Sequence, residues 1–370
     1  MELVPLLRAL VGIDSTSTRS NLPVLDLLER TVRPLGFDVR RVTWKDAEGV
    51  EKGNLVCRRG PDREGGLALV GHTDCVPFDP DWADALACAE RDGVLYGRGT
   101  ADTKGFVAAA VAAAAASRAR GAPLTLLFTA DEEVGCLGAK QLLAEGRVRP
   151  AQAIVGEPTR LVPMRAHKGY CAVEVRVTGR EGHSSYPDVG ASAIHAAGQL
   201  LAEIEALGAA LAEERDPSFS PPCTTWNVGV IHGGKARNII AGDCTFTYEW
   251  RPLPGQDPRH ALRLLEAAAR RVEAARPGIA IAVETLRTDA AAVTPPDAGI
   301  VRFLEAESGR PAQTIPFGTE LPEIAGLGAE GCVFGPGDIK VAHRTGECVA
   351  VAELERAAAV LERAVERFCG

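Results

Sequence analysis

Short unbroken apolar runs, each ending in residues capable of chemistry, alternate with helical stretches over the first 170 residues of this chain. LALVGH closes on His72, LTLLFTADEE on Glu132 and Glu133, and AIVGEP runs through Glu157. Apolar runs of this length, bounded by turn residues, read as strands buried on both faces of a sheet. Further strands are predicted near 38–44 and 53–58, with a helix pair before them and an alanine-rich helix after Lys104. Such alternation predicts an α/β fold, a twisted and mostly parallel sheet with helices on both faces. Ligands bind outside the carboxyl ends of the strands in such sheets, so the residues that end these runs are expected to converge.

The pattern changes after His167, Lys168 and Gly169. CAVEVRVTG alternates apolar and polar positions like a half-exposed strand, and ASAIHAAGQLLAEIEAL follows as an amphipathic helix. TTWNVGVIHGG and DCTFTYEWRPL are the next strands, then the helix HALRLLEAAARRVEAAR and the strand IAIAVETLR. Strand, helix, two strands, helix, strand is the ferredoxin-like order. It predicts an α+β domain at 171–290 inserted into a catalytic domain made of residues 1–170 and 291–370. The returning segment carries a helix in GIVRFLEAES, a strand at Cys332-Val333-Phe334, His343, and a last helix from about Val351.

Composition narrows the class. The 370 residues are 46% hydrophobic and 24% charged, ordinary for a globular chain of about two domains and unlike a disordered one. A net charge of −8 without a basic block argues against nucleic acid and anionic membrane as partners, leaving small molecules. The ten cysteines are scattered singly, which predicts reduced thiols and a cytoplasmic protein. MELVPLLRALVGIDSTS carries charges where a signal peptide needs an apolar core, and FVAAAVAAAAAS is too short to span a membrane.

Four carboxylates and two histidines then stand out: His72, Asp102, Glu132, Glu133, Glu157 and His343. Zn²⁺ accepts imidazole nitrogen and carboxylate oxygen, and two ions about 3.5–4 Å apart share a bridging carboxylate. A bridging aspartate plus one histidine and one glutamate per ion needs five ligands, and five are present, with Glu132 left over to move protons. Asp74 is expected to orient the His72 imidazole from behind. Taken singly each residue has a plainer reading: Asp102 as a helix cap, the glutamate pair as a solvated helix start, Glu157 as a strand end. Their joint placement at strand ends favours the metal reading.

GHTDCVPF, DGVLYGRGTADTKG, TADEE, GEPT and GPGDIKVAH, in that order, resemble the M20 family of zinc aminoacylases and deacylases over essentially the whole chain. The resemblance implies a zinc-peptidase-like catalytic domain with a ferredoxin-like dimerisation or lid domain. It implies two Zn²⁺ per chain, with Co²⁺ able to substitute: Asp102 bridging, His72 and Glu157 on one ion, Glu133 and His343 on the other. Glu132 would be the general base and the Asp102-Thr103 peptide cis. Within the family, RAHKGY, ARNII with RPLPG, and FGTELPEI are most similar to the branch that hydrolyses N²-acetyl-L-ornithine in arginine biosynthesis. Acetylcitrulline, succinyl-diaminopimelate, other N-acyl amino acids and dipeptides are the alternatives within the family, and a non-catalytic amino-acid binder the alternative outside it. Asn238, Arg251, Gly318 and Thr319 match substrate-contacting positions, and His183 matches a histidine that reaches the neighbouring subunit's site in a homodimer and steadies the oxyanion. Lys340 and Arg344 flank His343 and would disfavour an ornithine ammonium if they faced the substrate. His195 and His260 read as structural or solvated, while His167 and His232, beside glycines, are weaker candidates for substrate contact.

Overall fold

The computed structural model describes residues 2–370, which divide into two compact units. The first comprises 2–166, 294–313 and 319–370, and the second 167–293 with 314–318. In the first, strands Asp38–Lys45, Glu51–Arg59, Leu124–Thr129, Leu67–His72, Gln152–Val155 and Glu330–Val333 lie side by side in that order. The inner pairs are parallel and the Asp38–Lys45 and Glu51–Arg59 pairings antiparallel. Every residue of Leu67–His72 and Leu124–Thr129 is buried, as their unbroken apolar runs require.

The alanine-rich stretch forms the helix Lys104–Ala116, and ten of its thirteen residues are buried. Its small side chains let it pack closely between sheet and C-terminal helix, Val351–Cys369, whose Leu354, Ala357, Leu361 and Val365 share its core. Phe106 points from it against the sheet. A Cβ at Gly156 would stand 2.1 Å from the Phe106 ring, so glycine must precede Glu157. Thr103, rather than Asp102, occupies the cap position, and its hydroxyl donates to the His72 carbonyl at 3.3 Å instead of capping the helix.

The second unit has the predicted ferredoxin-like order. Strands Thr225–Gly233, Asp243–Arg251, Tyr170–Thr178 and Ala280–Asp289 are neighbours in that order and all antiparallel. Cys171, Val173, Val175 and Val177 alternate inward, meeting Phe246, Tyr248 and Trp250 and the helices Ala193–Leu211 and His260–Ala275. Thr225–Gly233 lies at one edge, with Val230 and Ile231 about half exposed. None of the ten cysteines is in a disulfide, and among the described residues no helix is long and apolar enough to cross a membrane.

Candidate active site

His72, Asp102, Glu132, Glu133, Glu157 and His343 come together in the first unit at the carboxyl ends of its parallel strands. His72 ends its strand, Glu132 and Glu133 follow the Leu124–Thr129 strand, and Glu157 follows Gln152–Val155. Asp102 lies on the turn into the alanine-rich helix, and its peptide bond to Thr103 is cis. Asp131 and His343 both adopt left-handed backbone, with φ of 57° and 58°, a conformation that side chains other than glycine keep only under constraint.

The donor atoms form overlapping triads. His72, Asp102 and Glu157 offer ligand atoms within 4.8 Å of one another, as do Asp102, Glu133 and His343; the two sets share Asp102. A third triad joins His72 and Glu133 to Glu132. His72 Nε2 stands 3.0 Å from Asp102 Oδ1, and His343 Nε2 is 3.2 Å from both Asp102 Oδ2 and Glu133 Oε2. His72 Nδ1 faces the Asp74 carbonyl oxygen at 3.0 Å and so donates to it, which turns the Nε2 lone pair onto the Asp102 carboxylate. Lone pairs and anionic oxygens pressed together in a buried place need protons or cations between them. Glu133 Oε1 is also buried without a hydrogen-bond partner. This donor set of imidazole nitrogens and carboxylate oxygens fits divalent zinc.

Without a cation the strain falls on the protons. Burial pushes the Glu132 carboxyl up to about 8, helped by Glu133, Glu320 and Asp102 and opposed by His72. Burial likewise raises Glu133 and lifts Glu157 well above the carboxylate range. Asp102 goes the other way: burial would raise it, but hydrogen bonds from His343 and from His72, whose ring is driven to take a second proton at Nε2 when no cation is there, hold it below the ordinary range. Hydrogen bonds to Asp102 and Glu133 bring His343 up to about 10. Pairs of groups driven apart in this way are what acid–base and metal chemistry require.

Asp74 supports the cluster differently from the simplest expectation. Its carbonyl, rather than its carboxylate, is the nearer acceptor for His72 Nδ1, the carboxylate oxygen standing at 3.6 Å. The carboxylate instead accepts from the backbone N–H groups of Glu132 and Glu133, at 3.1 and 3.3 Å, and from the Ser17 hydroxyl at 2.8 Å. It therefore holds the peptide that presents both glutamates. Sequence reasoning missed two further supports. Lys52, buried in its strand, pairs with Asp131 at 2.8 Å just before the acidic pair. Glu347 binds Arg98 and takes the N–H groups of Ala101 and Asp102 at 3.0 Å each, bracing the turn that carries Asp102. Neither pair has a local pattern, since each joins segments remote in sequence.

Thr319 belongs to the first unit, where its hydroxyl accepts from the Leu321 N–H at 3.1 Å. His183, Asn238, Arg251 and Gly318 belong to the second. There Gly182-His183 pairs with Ile239-Ile240, and the Ser184 N–H donates to the Asn238 carbonyl. His183 Nδ1 accepts from the Ser185 N–H at 3.1 Å, which leaves Nε2 as the protonated, donating nitrogen. The Arg251 guanidinium lies 3.7 Å above the Tyr170 ring, a cation–π contact that fixes its direction. Lys340 and Arg344 are both exposed. His195, His232 and His260 are exposed as well, whereas His167 is wholly buried, held neutral down to about pH 4 by burial, with Nδ1 2.8 Å from the Lys168 carbonyl.

Comparison with known proteins agrees with this geometry. Residues 68–367 match the peptidase family M20/M25/M40. The chain is 51% identical to an acetylornithine deacetylase of Myxococcus xanthus, covering all of this chain and 99% of that one. It is 38% identical to an acetylornithine deacetylase of Vibrio vulnificus, each covering the other fully. Among solved structures, an M20 metallo-carboxypeptidase from Sulfolobus solfataricus superposes over the whole chain and 99% of its own, with a TM-score of 0.79 at 17% identity. A dinuclear metal-binding M20 peptidase from Bacillus subtilis covers 99% of this chain and 97% of its own, with a TM-score of 0.68 at 13% identity. A mixed α/β unit with its histidines and carboxylates at the strand ends, a ferredoxin-like second unit and full-length likeness together make this chain a member of peptidase family M20/M25/M40, a family of metal-dependent hydrolases.

Proposed function

We propose that the chain removes the acetyl group from N²-acetyl-L-ornithine, giving L-ornithine and acetate, as a homodimer with two zinc ions per chain. The observation that carries the reading is the pair of histidine–carboxylate triads sharing Asp102, with Glu132 left beside them, in a chain alike end to end to acetylornithine deacetylases. His72, Asp102 and Glu157 would hold one ion, and Asp102, Glu133 and His343 the other. When bound, the ions supply Lewis acidity towards the scissile amide carbonyl and the attacking water.

The remaining work falls to side chains. Glu132 takes a proton from the attacking water on its carboxylate and passes it to the amide nitrogen as the carbon–nitrogen bond breaks, giving the amine and acetic acid; the acid's remaining proton then passes to the amine, so that acetate and an ammonium result. Its burial favours a carboxyl that can both accept and release a proton near neutrality. Asp74 keeps Glu132 and Glu133 in place through their backbone N–H groups. His183 Nε2 donates to the oxyanion, Arg251 and Asn238 take the α-carboxylate, and Gly318-Thr319 line the substrate.

A substrate panel tests the reading. The zinc-loaded protein is expected to show its highest kcat/KM on N²-acetyl-L-ornithine, by at least about tenfold over N-acetylcitrulline, N-succinyl-diaminopimelate and simple dipeptides, or about 1.4 kcal/mol of barrier. An equal or higher value on any of the others overturns the assignment.

The dimer is testable through His183. The exposed edge strand Thr225–Gly233, with Val230 and Ile231 outward, suits pairing with its own copy across a twofold axis. If His183 serves the partner's site, inactive Glu132→Gln and His183→Ala chains should recover activity on mixing. Random exchange makes half the dimers mixed, each with one intact site of two, so about a quarter of parental activity should return. No recovery despite demonstrated exchange would place His183 in its own subunit's chemistry or outside the reaction.

A further inference from the structure

Glu320 is a buried carboxylate that the proposed chemistry does not use. It directly follows the Gly318-Thr319 turn and is 1% exposed. Its Oε2 accepts from the Thr129 hydroxyl at 2.9 Å, while Oε1 is buried with no hydrogen-bond partner among the described residues. Thr129 is the register partner of His72, so Glu320 stands at the end of the strand pair that carries the site. It is close enough to His72, Asp74 and Glu132 for its charge to be felt by them. Burying a carboxylate oxygen without a donor is costly, and such an atom in a native protein calls for an explanation.

The neighbouring carboxylates are all committed. Asp102, Glu133 and Glu157 belong to the triads, and Glu132 is kept for the proton. Asp74 takes three hydrogen bonds. Asp131 is paired with Lys52, Glu347 with Arg98 and two backbone N–H groups, and Glu323 is engaged. Glu320 Oε1, like Glu133 Oε1, meets no donor among the described residues, but Glu320, unlike Glu133, belongs to no triad. A substrate with a cationic side chain brings the missing partner, because the δ-ammonium of an ornithine residue offers three donors and a full charge.

We infer that Glu320 is the specificity-determining residue for the side chain, its carboxylate receiving the substrate's δ-ammonium. The inference rests on the deacetylase reading above and deepens it. A site that presents a buried anion favours the cationic side chain and penalises an isosteric apolar one, which would leave the anion unpaired. A role confined to bracing Thr129 predicts no such discrimination. Neither does a general electrostatic effect on the metal site, which would act on every substrate alike.

The test compares N²-acetyl-L-ornithine with N-acetyl-L-norvaline, which has the same carbon chain and no ammonium, in the zinc-loaded parent and in Glu320→Gln. Glutamine keeps the shape and an oxygen for Thr129 while removing the charge. Loss of a charge-assisted contact predicts that kcat/KM for the ornithine substrate falls about 10- to 100-fold, mainly through KM, while the norvaline substrate changes by less than about threefold. Glu320→Asp, which restores the charge, should recover part of the preference, and it serves as the reporter if the glutamine variant does not fold. A preference that survives Glu320→Gln, or an equal fall for both substrates, overturns the inference while leaving the deacetylase reading intact. A parent with no preference for the ornithine substrate defeats that reading, and this inference with it.

Discussion

Glu132→Gln is expected to bind both metal ions and yet lose at least about 10³ of kcat, the middle of the range for removing a general base. Glutamine matches glutamate in size, so the buried position keeps its packing and the backbone N–H of residue 132 keeps its bond to Asp74. What disappears is the carboxylate that accepts the proton. Because that carboxylate must be ionised to act, parental kcat/KM should fall on the acid side as Glu132 is protonated, and residual turnover in the variant should lack this limb. Steady-state kinetics across pH, with metal content measured on the same samples, provides the check. Turnover within about tenfold of the parent, equivalent to about 1.4 kcal/mol, would mean that another group moves the proton.

The site was legible where it follows buried strands and obscure where it depends on long-range pairing. LALVGH and LTLLFT announce themselves because a strand covered on both faces must be apolar throughout, and the first polar residues after such a run stand at the open end of the sheet. The second unit was legible for the complementary reason: its strands are covered on one face, so CAVEVRVT alternates. The helix Leu137–Glu145 was missed because it opens on left-handed Cys136 among glycines and buries only Gly138, Ala139 and Leu142, too little for a clear periodicity. The return of 314–318 to the second unit has no local signal either.

Functional supports fared worse than ligands for the same physical reason. Lys52 sits in a strand where a lysine ordinarily marks a solvated edge, and only the fold brings Asp131 to it. Glu320 shows in sequence as one of two acidic residues in FGTELPEI, and its partner Thr129 is 191 residues away. His167 misleads in the opposite direction: a histidine beside a glycine reads as a loop residue, yet the structure buries it completely and keeps it neutral. Charge in a sequence identifies candidates, and burial with pairing decides which are chemistry and which are scaffold.

Asp102→Ala should abolish activity altogether, by more than about 10⁴, and for a different reason from Glu132→Gln. Asp102 is the member common to both triads, so its loss leaves His72 with Glu157 on one side and Glu133 with His343 on the other, two donors each. It also takes away the anion that both imidazoles face, at 3.0 and 3.2 Å. The parent loaded with zinc is expected to hold two ions per chain, to lose activity to a chelator, and to regain it when zinc is returned. Removing the metal should also lower thermal stability, since an ion bound only by the folded state at a thousandfold excess over Kd contributes about 4 kcal/mol. The metal-free site also leaves its carboxylates crowded, with burial and mutual repulsion raising Glu132, Glu133 and Glu157. In Asp102→Ala, zinc should bind at less than two ions per chain and protect against unfolding far less, while far-UV circular dichroism stays parental because the core does not involve this side chain. The contrast between the two variants is the decisive measurement: Glu132→Gln keeps the metals and loses the reaction, whereas Asp102→Ala loses both. A parent that is fully active with one ion, or an Asp102→Ala protein that retains two, would refute the shared-carboxylate arrangement.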